Sequence, residues 1–127
     1  MPTKLTTALN KENYTFSRQS RLLNGRDFQS VFRANTGRSS DQLWTVLARK
    51  NEVDHARLGL AISKRVVKTA VERNRLKRIV RESFRYHQQL LAGLDVVVMC
   101  RDGVRQSTNR KLFDSLKVHW KRVADRA

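Results

Sequence analysis

The sequence predicts a single α+β domain, and three observations carry that prediction. The chain has 127 residues, enough for one hydrophobic core and too few for two independent ones. Three segments bear apolar residues at helical spacing. Between them stand short runs rich in β-branched and aromatic residues, the composition of strands.

Met1 to Ser20 is polar and aperiodic and holds the single proline, Pro2. It is expected to be a flexible arm of residues 1–20, leaving one domain over residues 21–127. Asn24 precedes Gly-Arg-Asp-Phe-Gln-Ser-Val-Phe, where Phe28, Val31 and Phe32 recur at i, i+3 and i+4 and predict an N-capped helix. Gly37 and the Ser39-Ser40 pair are expected to break it. Leu43 to Arg49 and Arg57 to Lys64 predict strands, separated by a polar turn from Asn51 to His55. The longest helix is expected over Val71 to Leu91, which carries Leu76, Ile79, Val80, Phe84 and Leu91 without an internal Gly or Pro and is ended by Gly93. Val96 to Cys100 predicts a buried strand, and Asn109 to Val123 a final helix through Leu112, Phe113, Leu116 and Trp120. The order is helix, strands, helix, strand, helix, without an internal repeat.

Twenty-seven Lys and Arg stand against 11 Asp and Glu, a formal net charge of +16. Such a surface attracts polyanions, although charge alone does not choose among RNA, DNA and an anionic membrane. Hydrophobic residues make up 39%, so this is a folding chain and not a disordered basic tail. The lone Cys100 excludes an internal disulfide, and no Cys/His cluster has zinc-site spacing. A reducing, cytoplasmic location is expected. The N-terminus lacks the apolar run of a signal peptide, and the longest apolar run, Val96 to Cys100, is far too short for a membrane span. His55, His87 and His119 show neither triad nor metal-ligand spacing and are expected at the surface; no catalytic residue is predicted in the chain.

The long helix carries the functional signal. At about 100° per residue, with Leu76 at zero, Ile79, Val80 and Phe84 lie within roughly 80°, while Asn74, Lys77, Arg78, Arg81 and Arg85 lie between roughly 100° and 200°. An ordinary solvated face mixes signs so that i, i+4 pairs attract, and Glu82 is placed to serve Arg78 in that way. Lys77 stacks over Arg81, and Arg81 over Arg85, instead. Like charges so arranged destabilise a helix unless an anion relieves them. Arginine predominates, and its planar fork suits phosphate contacts and base stacking, which favours nucleic acid over membrane.

Ala70 to Arg85, AVERNRLKRIVRESFR, resembles the Arg-Asn-Arg signature of the protein subunit of bacterial ribonuclease P. Arg73, Asn74, Arg75, Lys77, Arg78, Arg81, Glu82, Phe84 and Arg85 stand where that signature has them. RLGLAISKRV, Arg57 to Val66, is similar to the family's strand leading into it, and RLLNGRDFQSVF, Arg21 to Phe32, to its first helix. Residues 16 to about 100 carry the resemblance closely and the remainder weakly.

The resemblance implies three helices around a four-stranded sheet with a left-handed βαβ crossover, as in the second domain of small-subunit ribosomal protein five. It implies an RNA partner that is itself the catalyst, bound by Lys64, Arg65, Lys68, Arg73, Asn74, Arg75, Lys77, Arg78, Arg81 and Arg85, with one protein per RNA and Mg²⁺ held mainly by the RNA. It further implies that the 5′ leader of precursor tRNA lies in a cleft at Phe28 and Phe32, whose alternative role is plain core packing. A third cleft position falls on Val46, with Trp44, two residues earlier on the same strand face, as the aromatic that would replace it. Val67, Lys68 and Thr69 stand where the family often has a glycine before the signature. The competing reading is a structural RNA-binding protein of the ribosomal type. A DNA-binding regulator would need a helix-turn-helix, and no second helix has that spacing.

Overall fold

The computed structural model describes residues 24–127; the predicted arm of residues 1–20 lies outside them. Helix α1 spans Gly25–Ala34, and Asn24 caps it by accepting a hydrogen bond from the Asp27 amide at 2.8 Å. Strands β1 (Gly37–Ser40), β2 (Trp44–Lys50) and β3 (Arg57–Ala61) follow, then helix α2 (Ala70–Tyr86), strand β4 (Leu94–Cys100), a 3₁₀ turn (Asp102–Gln106) and helix α3 (Asn109–Arg126). The sheet order is β1-β2-β4-β3. β4 pairs antiparallel with β2 and parallel with β3, so α2 is the crossover between two parallel neighbours, the connection that parallel pairing requires.

Strand alternation divides the sheet into two faces. One carries Trp44, Val46 and Ala48 of β2, Leu58 of β3, and Val96 and Val98 of β4. It packs against Leu76, Val80 and Phe84 of α2 and Leu112, Leu116, Trp120 and Val123 of α3. The Phe84 and Trp120 rings meet edge to face at 6.0 Å, and the Trp120 indole N–H donates to Ser83 Oγ at 2.8 Å. The opposite face carries a smaller cluster of Leu47 and Val97 under Val31 of α1, with Phe28 and Met99 beside it. β4 is therefore covered on both faces, which explains its unbroken apolar run.

Four expectations need correction. Trp44 and Val46 are fully buried on the α2/α3 face, so neither lines a cleft beneath α1; having the same strand parity, they share the wrong face together. The first helix does end before Gly37, but Gly37–Ser40 form a strand and not merely a break; a β-carbon on Gly37 would lie 3.1 Å from the Val123 carbonyl and the Ala127 amide, so the glycine lets α3 pack closely. α2 ends at Tyr86, with His87 as its cap, five residues before Leu91. Gly93 instead adopts φ +83 where the following turn enters β4, a conformation that side chains with a β-carbon rarely adopt. His119 is not on the surface but fully buried on α3. Its Nδ1 lies 2.6 Å from Ser39 Oγ. Its Nε2 lies 3.1 Å from Asp41 Oδ2, though off hydrogen-bond geometry. The Asp41 carboxylate also accepts from the Leu43 and Trp44 amides and from Ser115. This cluster ties the β1–β2 turn to α3.

Candidate nucleic-acid interface

Thr69 starts α2 by accepting from the Glu72 amide at 3.2 Å, and Leu76, Ile79, Val80 and Phe84 anchor its inner face in the core. The outer face is thereby fixed towards solvent. Asn74, Arg78 and Arg81 are exposed there, with Lys77 and Arg85 partly so, and Lys64, Arg65 and Lys68 are exposed in the segment leading into the helix. A surface concavity of about 430 Å³ is lined by Asn74, Arg78, Arg81, Glu82 and Arg85, three guanidinium groups against one carboxylate.

The signature residues divide by what their charges meet. Arg73 donates to the carbonyls of Val67 and Lys68 at 2.9 and 3.0 Å, holding the turn in front of the helix. Arg75 pairs with Glu72 through two hydrogen bonds of 3.0 and 3.1 Å and reaches Asn109 at the start of α3. The Arg75 hydrogen bond holds the Glu72 carboxyl below its ordinary range. Arg85 pairs with Glu82 at 2.6 Å and lies 5.2 Å from the centre of the Tyr86 ring. Glu82 was expected to serve Arg78; the i, i+3 partner holds it instead. Among the described residues Lys77, Arg78 and Arg81 have no carboxylate within salt-bridge distance. Three neighbouring cations left in this way carry charge that no described carboxylate neutralises, and such groups have the chemistry to meet phosphate oxygens.

A second region lies between α1 and the sheet. The Phe28 and Phe32 rings are 6.0 Å apart and inclined by 23°. Phe32 is 40% exposed, whereas Phe28 leans on the small cluster. One cation of this region is neutralised: Arg57 forms a fork with Asp95 at 2.7 and 2.8 Å and approaches Asp27 of α1 at 3.3 Å. Hydrogen bonding to Asp95 raises the Arg57 pKa above its ordinary value. This triad fastens α1 to the sheet edge and was missed in the sequence, because its members are far apart along the chain. Leu47 and Met99 beneath the aromatic pair were also missed, although alternation with Val46 and Val98 was the available signal.

Among the described residues no three His, Cys, Asp or Glu side chains gather as a metal site of protein ligands would need. No described helix is long and apolar enough to cross a membrane.

Residues 16–124 match the model of the family Ribonuclease P. The ribonuclease P protein component of Pseudomonas putida is 50% identical over 109 residues, covering 86% of this chain and 82% of the relative. That of Pseudomonas fluorescens is 49% identical over 109 residues, with coverages of 86% and 82%. The Staphylococcus aureus RNase P protein structure superposes with a TM-score of 0.73 at 30% identity, covering 80% of this chain and 92% of that one. For the Thermotoga maritima RNase P protein the TM-score is 0.71 at 31% identity, with coverages of 82% and 97%. A basic helix with three cations free of carboxylate partners among the described residues, on a shared fold matched over nearly the whole described chain, thus has one reading: the chain belongs to the ribonuclease P protein family.

Proposed function

We propose that this chain, as the protein subunit of ribonuclease P, holds a catalytic RNA on the outer face of α2 and the 5′ leader of precursor tRNA against α1. The observation that carries the reading is the row of Lys77, Arg78 and Arg81 without acidic partners among the described residues. Their charges, together with Lys64, Arg65 and Lys68 at the entry to the helix, neutralise phosphates whose counterions then return to solution. Arg73 and Arg75 act mainly by holding the backbone and the neighbouring helix in register.

On the other side of the sheet, Phe32 offers an exposed aromatic face and Phe28 supports it. Stacking of an unpaired leader base on such a face contributes about 1 to 3 kcal/mol. Trp44 and Val46, buried beneath α2 and α3, have no part in this. Phosphodiester hydrolysis giving the mature tRNA 5′ end is assigned to the RNA, together with the Mg²⁺ it uses. The protein's share is electrostatic: a net charge of +16 reduces repulsion between two polyanions, which lowers the magnesium needed, with one protein per RNA. The ribosomal-type alternative is set aside because the family, its relatives and the fold neighbours agree on ribonuclease P.

The test is precursor tRNA cleavage by a bacterial ribonuclease P RNA at low magnesium, with and without this protein. Protein-dependent 5′ maturation is expected; RNA binding without any stimulation would contradict the proposal.

A further inference from the structure

The basic face of α2 borders a second concavity, of about 390 Å³, that opens between α2 and α3 and is lined by Arg75, Arg78, Ile79, Glu82, Asn109 and Phe113. Its chemistry differs from that of the phosphate-binding row. Ile79 is buried at its base, and the partly buried Phe113 packs on the core while lining the groove. The guanidinium of Arg75 is held in place at one end by Glu72 on its own helix and by Asn109 across the gap. An immobilised guanidinium plane and an aromatic ring are two groups that recognise a π-face, and prior immobilisation removes part of the ordering cost of binding.

We infer that this groove receives one unstacked nucleobase of the RNA partner, while the phosphates on either side of that base rest on its rims. This rests on the RNA-binding reading above and extends it from phosphate contact to base capture. Charge places the two parts of the nucleotide. Glu82 lines the groove, and its carboxylate repels a phosphate but accepts a hydrogen bond from a base amino group. The rims are cationic. Arg78 stands on the α2 side, and Arg110 and Lys117, three residues before and four after Phe113, are exposed on α3, where no described carboxylate pairs with them. The apolar base of the groove and its carboxylate together favour a base over a bare anion. RNA presents such a base in loops and bulges, where stacking is already broken.

The test measures binding of the full chain to a bacterial ribonuclease P RNA across a salt series, for Phe113→Leu, Phe113→Tyr and Arg78→Ala. Leucine keeps the apolar packing and removes the ring, and circular dichroism melting checks that each variant folds. The expected result is a loss of at least about fivefold for Phe113→Leu, the lower end of base–aromatic stacking, with an unchanged salt slope and with binding retained in Phe113→Tyr. Unchanged affinity in a folded Phe113→Leu, alongside a reduced slope in Arg78→Ala, would overturn base capture and leave the RNA-binding reading standing. Unchanged affinity and slope in all three variants would overturn both.

Discussion

Two regions of this molecule place arginine on a surface, and they use it in opposite ways. Beneath α1, Arg57 is forked by Asp95 and approached by Asp27, so its charge is neutralised and its geometry fixed. On the outer face of α2, Lys77, Arg78 and Arg81 meet no described carboxylate within salt-bridge distance. The first arrangement fastens a helix to a sheet, and the second leaves charge for a partner. Within the signature itself the same division recurs, since Arg73 and Arg75 are engaged by their own chain. A count of basic residues therefore overstates the charge available to RNA; the partners of each cation decide the matter.

The largest effect that would sharpen this contrast is Arg57→Ala. It leaves Asp95, whose side chain is 9% exposed, with Asn51 as its one side-chain donor among the described residues. A loss of about 3 kcal/mol in urea denaturation is expected, at the lower end for breaking a buried pair because Arg57 itself is partly exposed. Its salt dependence of RNA binding should remain that of the parent. A stable variant with a weaker salt dependence would move Arg57 into the RNA-binding set.

A smaller effect separates the regions by ligand. Phe32→Ala should weaken precursor tRNA binding to the holoenzyme by about 2 kcal/mol through lost stacking, with mature tRNA nearly unaffected. Equal losses for both would remove the leader from this cleft.

The smallest concerns acid. Burial alone would raise the Asp41 carboxyl, but hydrogen bonds from Ser115 and the Trp44 and Leu43 amides, with the His119 ring close by, outweigh it and bring its pKa to about 2. A folded value below the unfolded one of roughly 3.9 means that the stabilisation is complete above pH ~4 and is lost as pH falls toward 2. Because the side chain is 39% exposed, solvent screening reduces the contribution to about 1 kcal/mol. His119 lies below its ordinary value, chiefly through burial, so protonating it also opposes folding as pH falls below roughly 6.5. Asp41→Asn should abolish the lower part of this dependence in denaturation series between pH 5 and 2, and a pH profile matching the parent would contradict the assignment.

Much of this architecture was readable in the residues because periodicity reports burial directly. The inner face of α2 emerged from Leu76, Ile79, Val80 and Phe84, and the outward cationic row from the charges opposite them. What escaped depended on contacts between distant segments. β1 is only four residues long, and its glycine reflects the nearness of α3 and not a turn. His119 has no sequence neighbour to announce Ser39 and Asp41. The start of α2 was available in Thr69-x-x-Glu72, a capping spacing. Trp44 and Val46 failed for a different reason: alternation correctly placed them on one face, but only the packed structure shows that this face is the core.

Whether Lys77, Arg78 and Arg81 of α2 hold the RNA is tested most directly by the salt dependence of ribonuclease P RNA binding by a Lys77→Ala, Arg78→Ala, Arg81→Ala variant. Each phosphate contact contributes close to one unit to the slope of log affinity against log salt, so a slope reduced by about 3 is expected. A folded variant with the parental slope would show that this face looks into solvent and that the RNA is held elsewhere.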